Sequence, residues 1–237
     1  EKILAREVDH RAKNLLAVVQ SVVQLSRADD PAHFRTSVVG RIQSLARAHS
    51  LLAAGRWEGV SLSSLTVEEL APYALDHQER VSIDGPEVQL RPAAAQSLAL
   101  TLHELATNAV KYGALATEQG SLRIGWTVDE HGDLDLHWRE AGAGPVAPPS
   151  RSGFGGRVIA ASIERQLSGS VERHWTQQGL EVHIRLPAAQ LTGTRPAPPT
   201  GPDEPAEADS LPQPLPPPPQ SRSQPTARRL LIVEDEA

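Results

Sequence analysis

The chain has 237 residues, a formal net charge of -6 and no cysteine. Its length allows one or two small domains, and its negative charge without a basic stripe excludes nucleic acid as the main partner. The lack of cysteine excludes disulfides and thiolate metal sites, and no apolar run in the sequence has membrane-spanning length. We therefore expect a cytoplasmic segment without membrane contact.

Residues 1–55 carry two helical patterns separated by a break. Apolar residues recur at spacings of four and three between residues 4 and 25, and a second seam of this kind runs between residues 38 and 52. Asp30 and Pro31, between the two seams, are typical of a helix start. One helical hairpin cannot bury both seams by itself, so we predict a homodimer in which two hairpins form a four-helix bundle.

The first of these helices carries Asp9 and His10 beside its apolar seam, so the imidazole is expected at the bundle surface. A neutral imidazole offers an unprotonated ring nitrogen as a nucleophile, and Asp9 can orient the ring or accept its other proton. On spacing alone, the alternative is that His10 is an ordinary polar surface residue.

Residues 60–187 alternate between helical and strand patterns. The predicted elements are, in chain order, a helix at 62–75, strands at 80–83 and 88–90, a helix from 92, a strand hairpin at 121–128 and 134–140, a helix after 156, and a closing hairpin at 170–175 and 180–186. This order predicts an α+β sandwich with helices on one face of a mixed or antiparallel sheet. The glycine- and proline-rich segment 142–153 predicts a mobile loop that can act as a lid.

The helix that begins at Pro92 ends in the polar stretch 103–113. Glu104, Asn108 and Lys111 follow spacings of four and three, which places a carboxylate, an amide and an ammonium on one helix face. Carboxylate and amide oxygens suit Mg²⁺, and a lysine pairs with phosphate charge. The alternative is the solvated stripe of an amphipathic helix.

Gly153, Gly155 and Gly156 precede the next predicted helix. Glycines before a helix let the backbone approach a phosphate, and the free amides of the helix start favour anions. An ordinary turn is the alternative for so short a cluster.

Four sequence motifs occur in a fixed order along the chain. They are DHRAKN at 9–14, HELATNA at 103–109, WRE at 138–140 and GFG at 153–155. In this order and at these separations they resemble an HWE-type sensor histidine kinase, a family named for a histidine in its N box and a Trp-x-Glu sequence. Here those residues are His103, Trp138 and Glu140. The resemblance covers residues 1–187.

The resemblance implies a dimerisation and histidine-phosphotransfer hairpin at 1–55, followed by a Bergerat-type (GHKL) ATP-binding domain at 60–187. In that family the histidine of the first motif, here His10, attacks the γ-phosphate of ATP. The resemblance also implies that Asn108 and Glu104 bind Mg²⁺, that Glu104 helps to organise water, and that Lys111 contacts phosphate. The nucleotide pocket would be lined by His103, Tyr112, Trp138 and Glu140. A lid over the nucleotide would be hinged on Gly153, Gly155 and Gly156.

The chain departs from the usual histidine kinase pattern at two positions. Arg11 follows His10 where an acidic residue is usual, so the helper carboxylate is expected to be Asp9. The usual Asp-x-Gly-x-Gly loop, whose aspartate binds adenine, is replaced by the sequence from Trp138 onward, and Glu140 is expected to take part of that role.

The segment 188–227 is rich in proline: of the 20 prolines in the chain, 13 fall between Pro187 and Pro225. This composition predicts a disordered, partly polyproline linker, with a proline-rich recognition peptide as the alternative. Residues 228–237 resemble the cut-off first strand of a response-regulator receiver domain, with Glu234 and Asp235 as its acidic pair. The alternative is an acidic terminal segment that is not part of a receiver domain.

Together these features predict the core of a hybrid sensor histidine kinase in a two-component system. It would use ATP and Mg²⁺ to phosphorylate His10 and pass the phosphoryl group to an aspartate of a receiver domain, expected at the C-terminal side of the same full-length chain. The alternatives are a GHKL-type ATPase and a catalytically inactive dimeric scaffold.

Overall fold

The computed structural model describes most of the central part of the chain. The described residues are 30–74, 78–144 and 159–194, together with positions 19, 20, 23 and 156. The predicted roles of Asp9 and His10, of Gly153 and Gly155, and of the segment from 195 to the C-terminus lie outside the described residues.

The first fully described helix, α1, spans Pro31–Ala54. Asp30 caps it, because its carboxylate accepts a hydrogen bond from the backbone N–H of His33 at 3.0 Å. The predicted seam of α1 is divided between two environments. Leu45 and Leu52 are buried in the core of this chain, whereas Ile42 is 37% exposed. One half of the seam therefore packs within the chain itself.

The remaining elements follow the predicted order. They are β1 (Val60–Ser61), α2 (Leu62–Ala74), β2 (Val81–Asp84), β3 (Val88–Leu90), α3 (Pro92–Tyr112), β4 (Ser121–Val128), β5 (Leu134–Ala141), a π-helical segment (Ala161–Gln166), β6 (Ser170–Trp175), β7 (Leu180–Leu186) and β8 (Leu191–Thr194). Pro72 lies inside α2 without ending it.

Five strands form the main sheet in the order β2-β4-β5-β7-β6. The β2–β4 pair is parallel, and the other neighbours are antiparallel. Alternate residues of β5 point into the core, so Leu134, Leu136, Trp138 and Glu140 are buried while Arg139 is exposed. The predicted α+β sandwich is confirmed.

A second, three-stranded antiparallel sheet has the order β1-β3-β8 and corrects a predicted boundary. The sequence predicts that the domain ends at residue 187 and that a linker begins at 188. In the structure Leu191 is buried and Thr194 pairs with Val88. The free edge of β3 supplies the backbone partners that the isolated sequence of β8 lacks, so the domain extends to Thr194.

Helix α3 is the centre of the domain. Its residues are buried over most of the stretch from Ala94 to Ala109, because the helix packs against α1 and α2 and shares one hydrophobic core with residues of the strands. Its last turn is exposed at Lys111 and Tyr112. Among the described helices, none is both long and apolar enough to cross a membrane.

Candidate functional site

The polar face of α3 leads from the core to the surface. Glu104 is buried, Asn108 is half-buried and Lys111 is exposed. Because α3 is helical over this whole stretch, the spacing of the three residues places them on one face. The neighbouring Tyr112 is 75% exposed. The outer end of this face therefore presents an amide and an ammonium group to solvent.

Glu104 is held by an arginine that lies outside the sequence motifs. Arg41 of α1 donates from Nε to Glu104 Oε1 at 2.7 Å and from Nη2 to Glu104 Oε2 at 3.1 Å. The two side chains are only 7% and 10% exposed. Such a bidentate, buried pair fixes both carboxylate oxygens. The one sequence signal was a charged residue between Gly40 and Ile42 in an otherwise apolar stretch of α1.

His103 lies between α1 and α2, away from the exposed end of α3. Its Nδ1 is 3.3 Å from the Tyr73 hydroxyl, which is also 3.1 Å from Thr107 Oγ1. On its other side, a Cβ on Gly40 would lie 3.0 Å from Nε2. Burial lowers the pKa of His103 to about 4, and the carboxylate of Glu104 opposes this only in part. His103 is therefore a neutral ring at a helix–helix contact.

Trp138 and Glu140 are both buried beneath the end of α3. The Trp138 indole donates from Nε1 to Glu140 Oε1 at 3.0 Å, and the backbone N–H of Ala114 donates to Glu140 Oε2 at 2.9 Å. A Cβ on Gly113 would lie 2.0 Å from Glu140 Oε2. Burial raises the pKa of Glu140. The structure therefore places this motif at the turn after α3, where it ties the helix end to β5.

A second, partly buried ion pair joins α1 to α2. Arg47 Nη2 donates to Glu69 Oε2 at 2.7 Å, and Glu69 is fully buried. Burial raises the pKa of Glu69, although the Arg47 guanidinium opposes this. Within the described part of the chain, Ser44 Oγ, Arg47 Nε and Glu69 Oε1 are buried without a hydrogen-bond partner. One oxygen of Glu69 therefore lacks a hydrogen bond, whereas both oxygens of Glu104 are hydrogen-bonded to Arg41.

The last predicted site residue that the structure describes is Gly156. It is half-buried and helical, and its carbonyl accepts a hydrogen bond from Arg173 Nη2 at 3.5 Å. Gly153 and Gly155 lie outside the described residues, so the lid stays a prediction.

The polar side chains of α3 are suited to binding Mg²⁺ that is also coordinated by phosphate. In the described ranges no three His, Cys, Asp or Glu side chains converge as a metal cage. Magnesium in phosphate-transfer sites uses one or two protein oxygens and completes its shell with water and phosphate. The amide oxygen of Asn108, half-buried beside Lys111, fits that requirement.

The chain is similar in sequence to known histidine kinases. Residues 7–87 match the family model described as HWE histidine kinase. The chain is 42% identical over 193 residues to the blue-light-activated histidine kinase of Rhizobium johnstonii, covering 81% of this chain and 55% of that protein. It is 34% identical over 190 residues to the blue-light-activated histidine kinase of Brucella anthropi, covering 78% of this chain and 39% of that protein. It thus spans about half, or less, of these relatives.

Solved structures show the same fold. The histidine kinase domain of a blue-light-activated histidine kinase from Erythrobacter litoralis matches with a TM-score of 0.55 and 15% identity, over 77% of this chain and 96% of that one. A longer structure of that kinase matches with a TM-score of 0.57 and 18% identity, over 78% of this chain and 59% of that one. Both matches concern the fold.

Proposed function

The chain belongs to the HWE histidine kinase family, and from this premise we propose that it is the transmitter core of a sensor histidine kinase. It would transfer the γ-phosphoryl group of ATP to His10 and then to an aspartate of a receiver domain. The observation that carries the proposal is the α3 face, on which Glu104, Asn108 and Lys111 run from the core to the surface.

Two residues of this face are suited to the nucleotide. Asn108 would hold Mg²⁺ through its amide oxygen, and Lys111 would pair with the phosphates. The bound metal supplies charge neutralisation for the transferring group. The chain's own task is then to bring a ring nitrogen of His10 in line with the γ-phosphorus, so that the new N–P bond forms as the bond to the ADP oxygen breaks. Asp9 would orient the imidazole and accept its other proton.

The buried motif residues would act on this face indirectly. Glu140 fixes the turn after α3 through Ala114, and Trp138 fixes Glu140. His103, which burial keeps neutral at physiological pH, supports the same helix from the side of α1 and α2. We propose that these three residues position Asn108 and Lys111 and do not themselves contact the nucleotide.

The wider assembly is also part of the proposal. The exposed seam residue Ile42 and the neighbouring exposed Val39 support a homodimer formed through the N-terminal hairpin. A receiver domain would be the phosphoryl acceptor, and a cytoplasmic location follows from the use of cellular ATP.

Incubation with γ-labelled ATP and Mg²⁺ tests the proposal. We expect a phosphoprotein that is labile in acid and stable in base, and no label on His10→Ala. A matched control is His33→Ala, because His33 is an exposed histidine of α1 with no role in the proposal. Equal labelling of wild type and His10→Ala would exclude His10 as the acceptor. Release of phosphate without a phosphoprotein would favour a GHKL-type ATPase, and failure to bind ATP would favour an inactive scaffold.

A further inference from the structure

Two arginines of α1 reach into the domain, the buried Arg41 and the half-buried Arg47, and they have different partners. Arg41 binds Glu104 of α3, and Arg47, which lies further along the same helix, binds Glu69 of α2. Both carboxylates are buried. Docking of α1 therefore places two guanidinium groups against two acids, but only Glu104 shares a helix face with Asn108 and Lys111.

A carboxylate beside a nucleotide's phosphates can have a chemical consequence. If it is free, it can take a proton from a water molecule whose oxygen attacks the γ-phosphorus as the bond to the ADP oxygen breaks. The products are then ADP and inorganic phosphate. Glu104 is the described carboxylate on the α3 face, so it is the group that can support this reaction. A histidine kinase gains nothing from that hydrolysis, because it consumes ATP without forming a phosphohistidine.

In the structure both oxygens of Glu104 accept hydrogen bonds from Arg41, at 2.7 and 3.1 Å. The fork of the guanidinium matches the carboxylate, and the pair is largely removed from solvent. The carboxylate is thus oriented toward α1. Gly40, the preceding residue, has no side chain, and even a Cβ there would meet His103 at 3.0 Å. This close approach sets α1 at the distance from α3 that lets Arg41 reach Glu104.

We propose that Arg41 is a positioning residue that sets the reaction specificity of the site: by holding Glu104 it withholds the carboxylate from water and directs the phosphoryl group to the histidine. The inference rests on the proposed kinase function. It adds a role for α1 beyond that of a dimerisation element, because docking of α1 then controls which acceptor the phosphoryl group meets.

The test compares Arg41→Met with Arg47→Met in the full 237-residue chain. Both changes remove a guanidinium of α1 that pairs with a buried carboxylate and keep a long apolar side chain, but only Arg41→Met releases Glu104. The main readout is the ratio of released phosphate to phosphohistidine with γ-labelled ATP. We expect Arg41→Met to raise this ratio by about tenfold or more, the scale of a gained general base, and Arg47→Met to leave it near the wild-type value.

Two further variants keep the result interpretable. Arg41→Lys retains a cation that can hold one carboxylate oxygen, so it should restore much of the wild-type ratio. Glu104→Gln added to Arg41→Met should lower phosphate release below that of Arg41→Met alone, because the amide cannot accept the proton. Amide hydrogen exchange of α1 and binding of a non-hydrolysable ATP analogue report, independently of turnover, whether Arg41→Met and Arg47→Met loosen α1 equally and still bind nucleotide.

The possible outcomes separate the inference from the proposed function. An equal rise in phosphate release in Arg41→Met and Arg47→Met would overturn the inference, since loosening of α1 would then be the cause. A loss of phosphohistidine in Arg41→Met without extra phosphate would overturn it as well, since Arg41 would then serve the transfer itself. Wild-type protein that neither binds nucleotide nor forms a phosphoprotein would overturn the proposed function, and this inference with it.

Discussion

Trp138 and Glu140 lie two residues apart on β5, and in the core the indole N–H of the first donates to the carboxylate of the second at 3.0 Å. The other carboxylate oxygen accepts the backbone N–H of Ala114, immediately after α3. These two hydrogen bonds connect the motif to the end of the helix that carries Asn108 and Lys111. This relationship can be tested without touching the motif itself.

Gly113→Ala is predicted to disturb these hydrogen bonds, because its new Cβ would lie 2.0 Å from Glu140 Oε2 and 2.8 Å from the Cα of Ala109. The carboxylate must move from its two donors, which should lower the free energy of unfolding by about 2–4 kcal/mol. Urea unfolding measures this loss. Gly125→Ala is the matched control: its Cβ would meet nothing closer than the Asp84 carbonyl at 3.7 Å, and it should be nearly neutral. Equal stability of the two variants would contradict the role given to Glu140.

His103 should make the stability of the domain fall between pH 6.5 and pH 4. Burial lowers its pKa from 6.5 to about 4, so in this window the unfolded chain binds a proton that the folded chain does not. Stability from this residue is present above pH 6.5 and is lost as the pH falls toward 4, by about 3 kcal/mol at the end of the window. The measurement is urea unfolding of wild type and His103→Gln across this range.

The difference in stability between wild type and His103→Gln should shrink or reverse as the pH falls, since glutamine does not titrate. The same substitution at His33, whose side chain is exposed on α1, serves as the control for a histidine outside the core. A constant difference between wild type and His103→Gln from pH 7 to pH 4 would refute the assignment of a buried neutral ring.

Strand β8, at the C-terminal end of the domain, is predicted to contribute to its stability. A chain ending at Pro187 lacks β8, which leaves β3 with a free edge and removes the buried side chain of Leu191. We expect it to be less stable than a chain ending at Thr194 by about 2 kcal/mol, from the lost apolar burial alone. Thermal unfolding of the two truncated chains measures the difference. Equal stability of the two truncated chains would indicate that the domain ends at residue 187.

Local sequence patterns predict the helices and strands well because each pattern is contained in a short segment. The spacing of Glu104, Asn108 and Lys111 needs only the geometry of one helix. The alternation of side chains along β5 also predicts a buried position for the motif, because Trp138 and Glu140 lie on the same face of the strand as Leu134 and Leu136.

Contacts between distant segments could not be predicted in this way. Arg41 and Glu104 are 63 residues apart, and no periodicity in either helix indicates that they meet. The same holds for β8, whose four residues form a strand only because β3 offers an edge. Both features depend on how α1, α3 and the small sheet pack in three dimensions, which a single sequence does not specify.

Asn108 carries the most direct prediction for the site. Asn108→Ala removes the amide oxygen proposed to hold Mg²⁺, so magnesium-dependent ATP binding should weaken by at least about tenfold and phosphorylation of His10 should be lost. Isothermal titration with ATP, with and without Mg²⁺, measures the first effect. Asn108→Asp retains an oxygen ligand and should keep part of the magnesium dependence. Because Asn108 is only half-buried near the open end of α3, both variants should unfold at the wild-type urea concentration and keep the wild-type oligomeric state. A monomeric or destabilised Asn108→Ala protein would show that this amide supports the fold, and the metal assignment would then fail.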